Sequence, residues 1–384
     1  MTGPHPQNTE EIVRRCSNPP SPSPPAAAPG VACFFCANDG PMQEAEDIRD
    51  DDSGFGDVES SVASISSSII AYHEENGRRY HALSRGKYAL PNDDVSRSPR
   101  TGNHAPQGSV ADQDNATKAE IERLDVQHEL MLRTIDGELA LCPKAQTATR
   151  VLDVGTGTGA WAIDYADAHP EAEVIGVDLS PIQPAFVPPN CRFEIDDLEE
   201  DWTWNTKFDF ILSRMMLGSF ADFPRFVKQA YDHLEPGGYL ELQELTLPVR
   251  CDDDTLKADG KLMGWCNHII EAAAAAGRPV FPTTEYKNYM AAAGFEDIVE
   301  VQRKWPSNTW PRDRNYKELG LWAYSNLGGG LEGLSLAHFT RGLGWSREET
   351  LVYCAETRKE MKNPNIHAYW PIYFVYGRKP LQKN

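Results

Sequence analysis

A glycine-rich segment at residues 151–159 has the composition and spacing most able to support chemistry. It reads Val-Leu-Asp-Val-Gly-Thr-Gly-Thr-Gly, an apolar run that enters a turn. Glycine tolerates positive φ and lacks a Cβ, so a ligand can approach the bare backbone there. Residues 160–166 predict a helix, whose N-terminus offers free N–H groups and a partial positive charge. The segment predicts a nucleotide-like ligand, with contacts at Gly155, Thr156, Gly157 and Gly159.

Two cofactors compete for this turn. The spacing Gly155-x-Gly157-x-x-Ala160 also satisfies the dinucleotide fingerprint, with alanine in the last position. Asp153 lies inside the strand, two residues before the first glycine. A pyrophosphate would be repelled by that carboxylate, whereas the amino group of an amino-acid-bearing cofactor would be attracted to it. Asp153 therefore favours S-adenosylmethionine over NAD.

Acidic residues also follow the next two strand candidates. Asp178 ends the apolar run 174–177, where a carboxylate can bind both ribose hydroxyls of either cofactor. After the strand candidate 191–195, an Asp-Asp-Leu sequence offers carboxylates for the exocyclic amine of adenine and an apolar side chain for its ring. Beyond the turn, the predicted cofactor contacts are Asp153, Asp178, Leu179, Asp196, Asp197 and Leu198.

The order of these motifs resembles the class I S-adenosylmethionine-dependent methyltransferases. Residues 151–159 match the first strand and turn of that superfamily, and the Leu-Glu-Pro-Gly-Gly sequence at 234–238 matches the turn before its fifth strand. The resemblance implies S-adenosylmethionine as cofactor and an α/β fold. That fold is a Rossmann-like, doubly wound, seven-stranded sheet, mostly parallel with an antiparallel last strand. Strand–helix alternation from residue 150 also predicts a parallel doubly wound sheet.

Several longer segments resemble the fungal LaeA-type methyltransferases. They lie at 74–81, 85–93, 123–128, 159–163, 177–184, 250–253, 366–369 and 377–380, so the resemblance spans about residues 71–380. It implies a protein that binds S-adenosylmethionine. Several members of that family regulate secondary metabolism and development with velvet-type partners in the nucleus. Others methylate small molecules in biosynthetic clusters.

The chain divides into three predicted regions. Residues 1–70 are acidic and rich in Pro and Ser, a composition that cannot bury enough apolar surface to fold, and predict a disordered tail. Residues 71–116 predict a lid-like segment and a connector, with 95–116 as the flexible part. The methyltransferase domain then covers 117–380, beginning with a helix over 118–141. Cys33 and Cys36 have ligand-like spacing, but no second pair follows, so no metal site is predicted.

The acceptor determines whether a catalytic base is needed. Methyl transfer is an in-line displacement from a sulfonium, which positioning and the exclusion of water can promote. A hydroxyl or amine acceptor would also need a base. The candidates are His73, Tyr80, His81, Glu244 and His367. His73 and His81 lie eight residues apart, so one helix could present both on one face. Arg214 is expected to contact the cofactor carboxylate or substrate, or to pair with Asp209.

Overall charge limits the partners. The chain has 384 residues and a formal net charge of −20, which argues against direct binding to nucleic acid. No apolar run is long enough for a bilayer and no signal peptide is evident, so we expect the nucleus or cytoplasm. Three functions remain open: a regulator with velvet-type partners, a biosynthetic methyltransferase for a small natural product, and a non-catalytic scaffold.

Overall fold

A two-stranded hairpin comes first in the computed structural model, which describes residues 72–75, 78–81, 110–180 and 182–382. The predicted tail and Cys33 and Cys36 lie outside these residues. Strands β1 (Tyr72–Glu75) and β2 (Arg78–His81) pair antiparallel, with His73 opposite Tyr80. The prediction that one helix carries His73 and His81 is therefore wrong. The Asn-Gly pair at 76–77 is the residue pair most favoured in two-residue hairpin turns, and it outweighs the helical spacing.

The main sheet has seven strands in the order β5-β4-β3-β6-β7-β9-β8. Strands β3 to β7 run parallel, and β9 is antiparallel to both β7 and β8, which confirms the predicted fold class. The strand order reverses at β3, and ligands bind at the carboxyl ends of strands beside such a point. The bounds are β3 Arg150–Val154, β4 Glu173–Asp178, β5 Cys191–Ile195, β6 Phe208–Arg214, β7 Leu234–Leu245, β8 Glu296–Pro306 and β9 Tyr369–Arg378.

Eight α-helices accompany these strands in the described part of the chain. They are α1 Val110–Thr134, α2 Ala160–Ala168, α3 Phe223–His233, α4 Lys261–Ala275, α5 Tyr286–Ala293, α6 Arg314–Ala323, α7 Leu331–Ala337 and α8 Arg347–Lys362. Short 3₁₀ turns occur at Pro143–Gln146 and Thr283–Glu285. Two π-helical segments, Tyr324–Gly328 and His338–Gly342, directly follow α6 and α7. None of the described helices is long and apolar enough to cross a membrane.

Helix α1 differs from its prediction at both ends. It begins at Val110, inside the predicted connector, and ends at Thr134 instead of near residue 141. The end is set by Asp136 and Gly137, which both have positive φ, 58° and 87°. The N–H of Gly137 donates to the carbonyl of Leu132 at 2.7 Å, which closes the last turn.

Apolar side chains cover both faces of the sheet. Trp161 on α2 is 1% exposed, and its ring stacks on Tyr165 with centroids 4.9 Å apart. Its indole N–H donates to the carbonyl of Leu139 at 2.9 Å, and the ring belongs to the core cluster on this face of the sheet. Further aromatic side chains, including Phe223 and Phe226 of α3, form a second cluster with strands of the sheet. Helix α2 and the glycine turn before it are therefore anchored to a rigid sheet.

Candidate cofactor and active site

The glycine turn between β3 and α2 is held open by its backbone. Gly155, Gly157 and Gly159 have φ of 68°, 57° and 82°, all in the left-handed region. The N–H groups of Gly155 and Thr156 donate to the carbonyl of Val177 on β4, at 2.9 and 3.0 Å. The turn is thus a fixed loop with bare backbone at the carboxyl edge of the sheet, as the sequence predicts.

Two neighbouring side chains leave no room for larger residues in this turn. A Cβ added at Gly155 would overlap the sulfur of Met216, and one added at Gly159 would overlap the ring of Phe193. At Gly157 an added Cβ would only touch Leu124, at 3.5 Å. All three glycines thus supply positive φ, and Gly155 and Gly159 also leave space that Met216 and Phe193 occupy.

Asp178 and Gln183 fasten the turn from the side of β4. The carboxylate of Asp178 accepts from the N–H of Gly157 at 2.8 Å and from the N–H of Ser180 at 2.9 Å. The side-chain amide of Gln183 donates to the carbonyls of Gly157 at 2.7 Å and Ser180 at 2.9 Å. The predicted contact of Asp178 with the ribose hydroxyls stays a prediction. Sequence reasoning misses Gln183, although Gln183 lies in the family-like segment 177–184.

Asp153 is a buried acid directly behind the turn. It is 3% exposed and accepts from the hydroxyl of Thr156 at 2.5 Å. Burial raises the pKa of Asp153 to about 6, against the opposing effects of the Thr156 hydroxyl and the Arg214 guanidinium. The group is ionised at neutral pH in a dry environment, which suits a cationic ligand atom.

The edge predicted to hold adenine is arranged differently from the prediction. Leu198 is 7% exposed and belongs to the core cluster that contains Trp202. Its side chain packs in the same core cluster as Trp202, whose indole N–H donates to the carbonyl of Leu198 at 3.0 Å. The exposed apolar side chains here are Leu179 and Ile195, 67% and 54% exposed. They flank Asp178, whose register partner in β5 is Ile195. Asp196 is exposed and Asp197 half-buried.

A chain of polar contacts ends at Arg214, the last residue of β6. Its guanidinium donates to Nδ1 of His128 at 2.9 Å, and Nε2 of His128 lies 2.9 Å from the carboxylate of Asp164. The expected alternative, a pair between Arg214 and Asp209, is wrong. Side chains alternate across a strand, so residues 209 and 214 point to opposite faces. Asp209 instead accepts from the N–H and hydroxyl of Thr149, at 2.8 and 2.6 Å.

Glu244 on β7 is a buried acid close to the end of β6. It is 3% exposed and accepts from the N–H of Leu245 at 2.9 Å. Burial raises the pKa of Glu244 to about 8, and backbone N–H groups, including that of Met216, oppose the rise. Glu244 is therefore mostly protonated at neutral pH. Met215 nearby has φ of 56°, the kind of backbone strain that clusters at functional sites.

His367 holds the start of β9 to the segment after β7. Its Nδ1 bonds the carboxylate of Asp253, its N–H donates to the hydroxyl of Thr255 at 2.8 Å, and its ring lies 4.8 Å from that of Trp310. His73, Tyr80 and His81 lie on the hairpin. The five candidates for a base stay predictions. Within the described ranges, no group of three or more His, Cys, Asp or Glu side chains could hold a metal ion.

The seven-stranded sheet with reversed β9, the glycine turn after β3 and the acid ending β4 define an S-adenosylmethionine-dependent methyltransferase. The methyltransferase domain family matches residues 126–301. The chain is 37% identical over 325 residues to methyltransferase pytC of Aspergillus terreus, covering 84% of this chain and 93% of that one.

Two further relatives extend the comparison. The chain is 36% identical over 315 residues to secondary metabolism regulator LAE1 of Cochliobolus heterostrophus, covering 80% and 95% of the two chains. It is 32% identical over 314 residues to protein-methionine methyltransferase laeA of Emericella nidulans, covering 81% and 77%. The chain belongs to this family of LaeA-type methyltransferases, which confirms the resemblance predicted from its sequence. Its cofactor is S-adenosylmethionine, which supplies a methyl group carried on a sulfonium.

Proposed function

We propose that the protein is a LaeA-like regulator of secondary metabolism and development, which transfers methyl groups in the nucleus together with velvet-type partner proteins. One observation supports this most. The similarity to named regulators covers 80% of the chain, well beyond the methyltransferase match at 126–301. A second regulator, laeA of Aspergillus flavus, is 33% identical over 83% of the chain.

We assign the parts of the cofactor to the residues at the carboxyl edge. The ribose hydroxyls bind Asp178, and the methionine ammonium binds Asp153, whose burial strengthens the attraction. Adenine lies between the exposed side chains of Leu179 and Ile195, and its exocyclic amine donates to Asp196 or Asp197. These assignments follow from burial and position. The acids lie at or directly after the carboxyl ends of β3, β4 and β5, and the two exposed apolar side chains lie beside them.

We propose further that the acceptor is a protein side chain with no proton to lose. A nucleophile such as a thioether attacks without a base. The buried acid near this edge, Glu244, is mostly protonated at neutral pH because burial raises its pKa to about 8, so it is not a ready base. The relative named as a protein-methionine methyltransferase fits this chemistry.

Labelled methyl transfer in extract tests the regulator proposal. Extract from a strain that lacks the gene is incubated with methyl-labelled S-adenosylmethionine and either the full chain or the Asp178→Asn variant. The variant weakens ribose binding, and its Asn Oδ1 keeps one of the two backbone contacts. We expect label in a protein band with the full chain only, and velvet-type proteins in its pull-down. Label confined to the small-molecule fraction, with no velvet-type protein captured, would contradict the proposal.

The sequence identities to two relatives favour a second function, the methylation of a small molecule in a biosynthetic pathway. The relatives with 37% and 38% identity are named as methyltransferases without a regulatory role, pytC and probable methyltransferase tdiE. On that alternative the acceptor is a small natural product. Deletion of the gene would then remove one methylated product, whereas loss of a regulator would change many products at once. Metabolite profiling of the deletion strain separates the two.

A further inference from the structure

Arg214 is a cation that lacks an anionic partner in the described part of the chain. The side chain is half-buried at the carboxyl end of β6. Asp153 and Asp164 are near enough to affect its charge, yet no carboxylate of the described residues lies within the 4.0 Å of an ion pair. Burial lowers the pKa of Arg214 to about 10, which still leaves it charged at neutral pH. A cation partly withdrawn from water and without an ion pair is costly, so its position indicates an anionic ligand.

His128 fixes how this guanidinium points. Since Arg214 can only donate, Nδ1 of His128 must offer its lone pair, and the ring proton is on Nε2, which donates to Asp164. Burial is the main cause that lowers the pKa of His128, and the Arg214 charge adds to it, so the neutral ring persists. One of the five guanidinium N–H groups is used in this contact. The remaining donors are held in a fixed orientation by the planar group.

The location of Arg214 matches one end of the cofactor. Val154, the last residue of β3, is the register partner of Ser213, so Arg214 stands level with Gly155 at the start of the turn. Asp153 lies on the same edge. A carboxylate and a guanidinium placed side by side complement an amino acid, whose ammonium and carboxylate share one carbon.

We propose that Arg214, oriented by His128, binds the carboxylate of the cofactor's methionine while Asp153 binds its ammonium. This inference rests on the binding of S-adenosylmethionine and deepens it. Arg214 is then a cofactor-binding residue. His128 is a positioning residue, because it acts through Arg214.

Helix α1 carries both this positioning contact and a contact to the glycine turn. One helical turn before His128, Asp125 accepts from the hydroxyl of Thr158 at 3.0 Å. The preceding residue, Leu124, lies beside Gly157. A single rigid helix thus sets the distance between the turn and Arg214, which gives a physical role to the family-like segment 123–128.

Calorimetric titration of the full chain with two ligands tests the proposal. The ligands are S-adenosylmethionine and its decarboxylated analogue, which differ only in the carboxylate. Charge-assisted hydrogen bonds contribute roughly 1.5–3 kcal/mol, so we expect Arg214→Met to weaken binding of the first about 10- to 100-fold. The analogue should bind this variant and the unmodified chain within about threefold. The affinity of Arg214→Lys for S-adenosylmethionine should lie between those of Arg214→Met and the unmodified chain. The control Arg347→Met, at the exposed start of α8, should bind both ligands as the unmodified chain does.

Variants of His128 test the positioning role. His128→Asn keeps an acceptor near the Nδ1 position and should retain most of the preference for the carboxylated ligand. His128→Phe removes the acceptor and should lose that preference as Arg214→Met does. Equal affinity of the unmodified chain for both ligands would overturn the proposal and leave cofactor binding intact. Equal weakening of both ligands by Arg214→Met would also overturn it, whereas a chain that binds neither ligand would refute the cofactor assignment as well.

Discussion

The sulfur of Met216 lies against the bare Cα of Gly155, so closely that a Cβ at position 155 would overlap it. Met216 follows Met215, whose positive φ turns the chain sharply at the end of β6. This strained turn places the thioether over the glycine turn that follows β3. The cofactor turn and the loop after β6 therefore restrict each other's side chains.

Alanine at position 155 is expected to cost more than alanine at position 157. Both glycines have positive φ, so each substitution adds strain of about 1–2 kcal/mol. Only Gly155→Ala also overlaps Met216, because the new Cβ at 157 makes an ordinary contact with Leu124. Thermal unfolding should show a modestly larger loss for Gly155→Ala, because the flexible end of Met216 must move aside. The double variant Gly155→Ala with Met216→Ala should avoid the stability loss that comes from the steric overlap, whereas the loss from backbone strain should remain. Equal losses at both positions would refute this account.

Asp153→Asn should stabilise the protein and weaken cofactor binding. The folded pKa of Asp153 is about 6, above its ordinary value of 3.8, so its ionisation opposes folding. The contribution of protonated Asp153 to the free energy of unfolding is fully present below its ordinary pKa of 3.8, and it is lost as the pH rises through the folded pKa of about 6. At pH 8 the variant should therefore be more stable by about 2–3 kcal/mol, from roughly 1.4 kcal/mol per pKa unit.

The pH dependence of stability shows whether Asp153→Asn stabilises the protein by removing the buried charge or by changing the packing around residue 153. The difference in free energy of unfolding between Asp153→Asn and the unmodified chain should narrow as the pH falls from 7 towards 4. Denaturant titrations at several pH values measure it. A constant difference across that range would mean that the Asp153 charge is not the cause. Calorimetry at pH 8 should show weaker binding of S-adenosylmethionine in the variant, since the amide cannot attract the ammonium as a carboxylate does.

Glu244→Gln tests whether the buried acid is a base. The folded pKa is raised from 4.5 to about 8, so the folded state holds a proton that the unfolded state has released between these values. The stability of the unmodified chain should fall relative to Glu244→Gln, by on the order of 1 kcal/mol per pH unit as the pH rises from 5 to 8. Methyl transfer should be nearly unchanged at pH 7. A variant that binds cofactor normally but loses transfer, most strongly above pH 8, would instead identify Glu244 as the base.

The parts that sequence reasoning could predict are those specified by local pattern. The glycine turn, Asp153 and Asp178 lie within single strand–turn units, and the alternation of strands and helices gives the sheet. The contact between Arg214 and His128 joins β6 to α1 and depends on how distant elements pack, for which no local signal exists. Leu198 shows the same limit, because its burial depends on a core cluster with distant residues such as Phe226 and not on the preceding Asp pair.

Asp253→Ala is expected to destabilise the protein. Comparison with a His367 variant then shows whether His367 has a structural role or acts as the catalytic base. The Asp253 carboxylate accepts from the hydroxyl and N–H of Thr255, from the thiol of Cys251 and from His367. These contacts hold the pKa of Asp253 below its ordinary range. Their loss should lower the free energy of unfolding by about 1–3 kcal/mol. If His367 is structural, His367→Asn should show a similar loss of stability with normal transfer at low temperature. Normal stability with lost transfer would identify His367 as the base.

Truncation tests the predicted role of the segment 71–90 as a lid. Removal of residues 1–70 leaves the β1–β2 hairpin, whereas removal of residues 1–90 takes it away. A lid that closes over the cofactor excludes water and adds contacts, so we expect the longer deletion to abolish binding of S-adenosylmethionine in calorimetry. The shorter deletion should bind as the full chain does. Both proteins should unfold cooperatively, since the described core begins at α1. Unchanged affinity after the longer deletion would refute the lid and restrict cofactor binding to the sheet edge and helix α1.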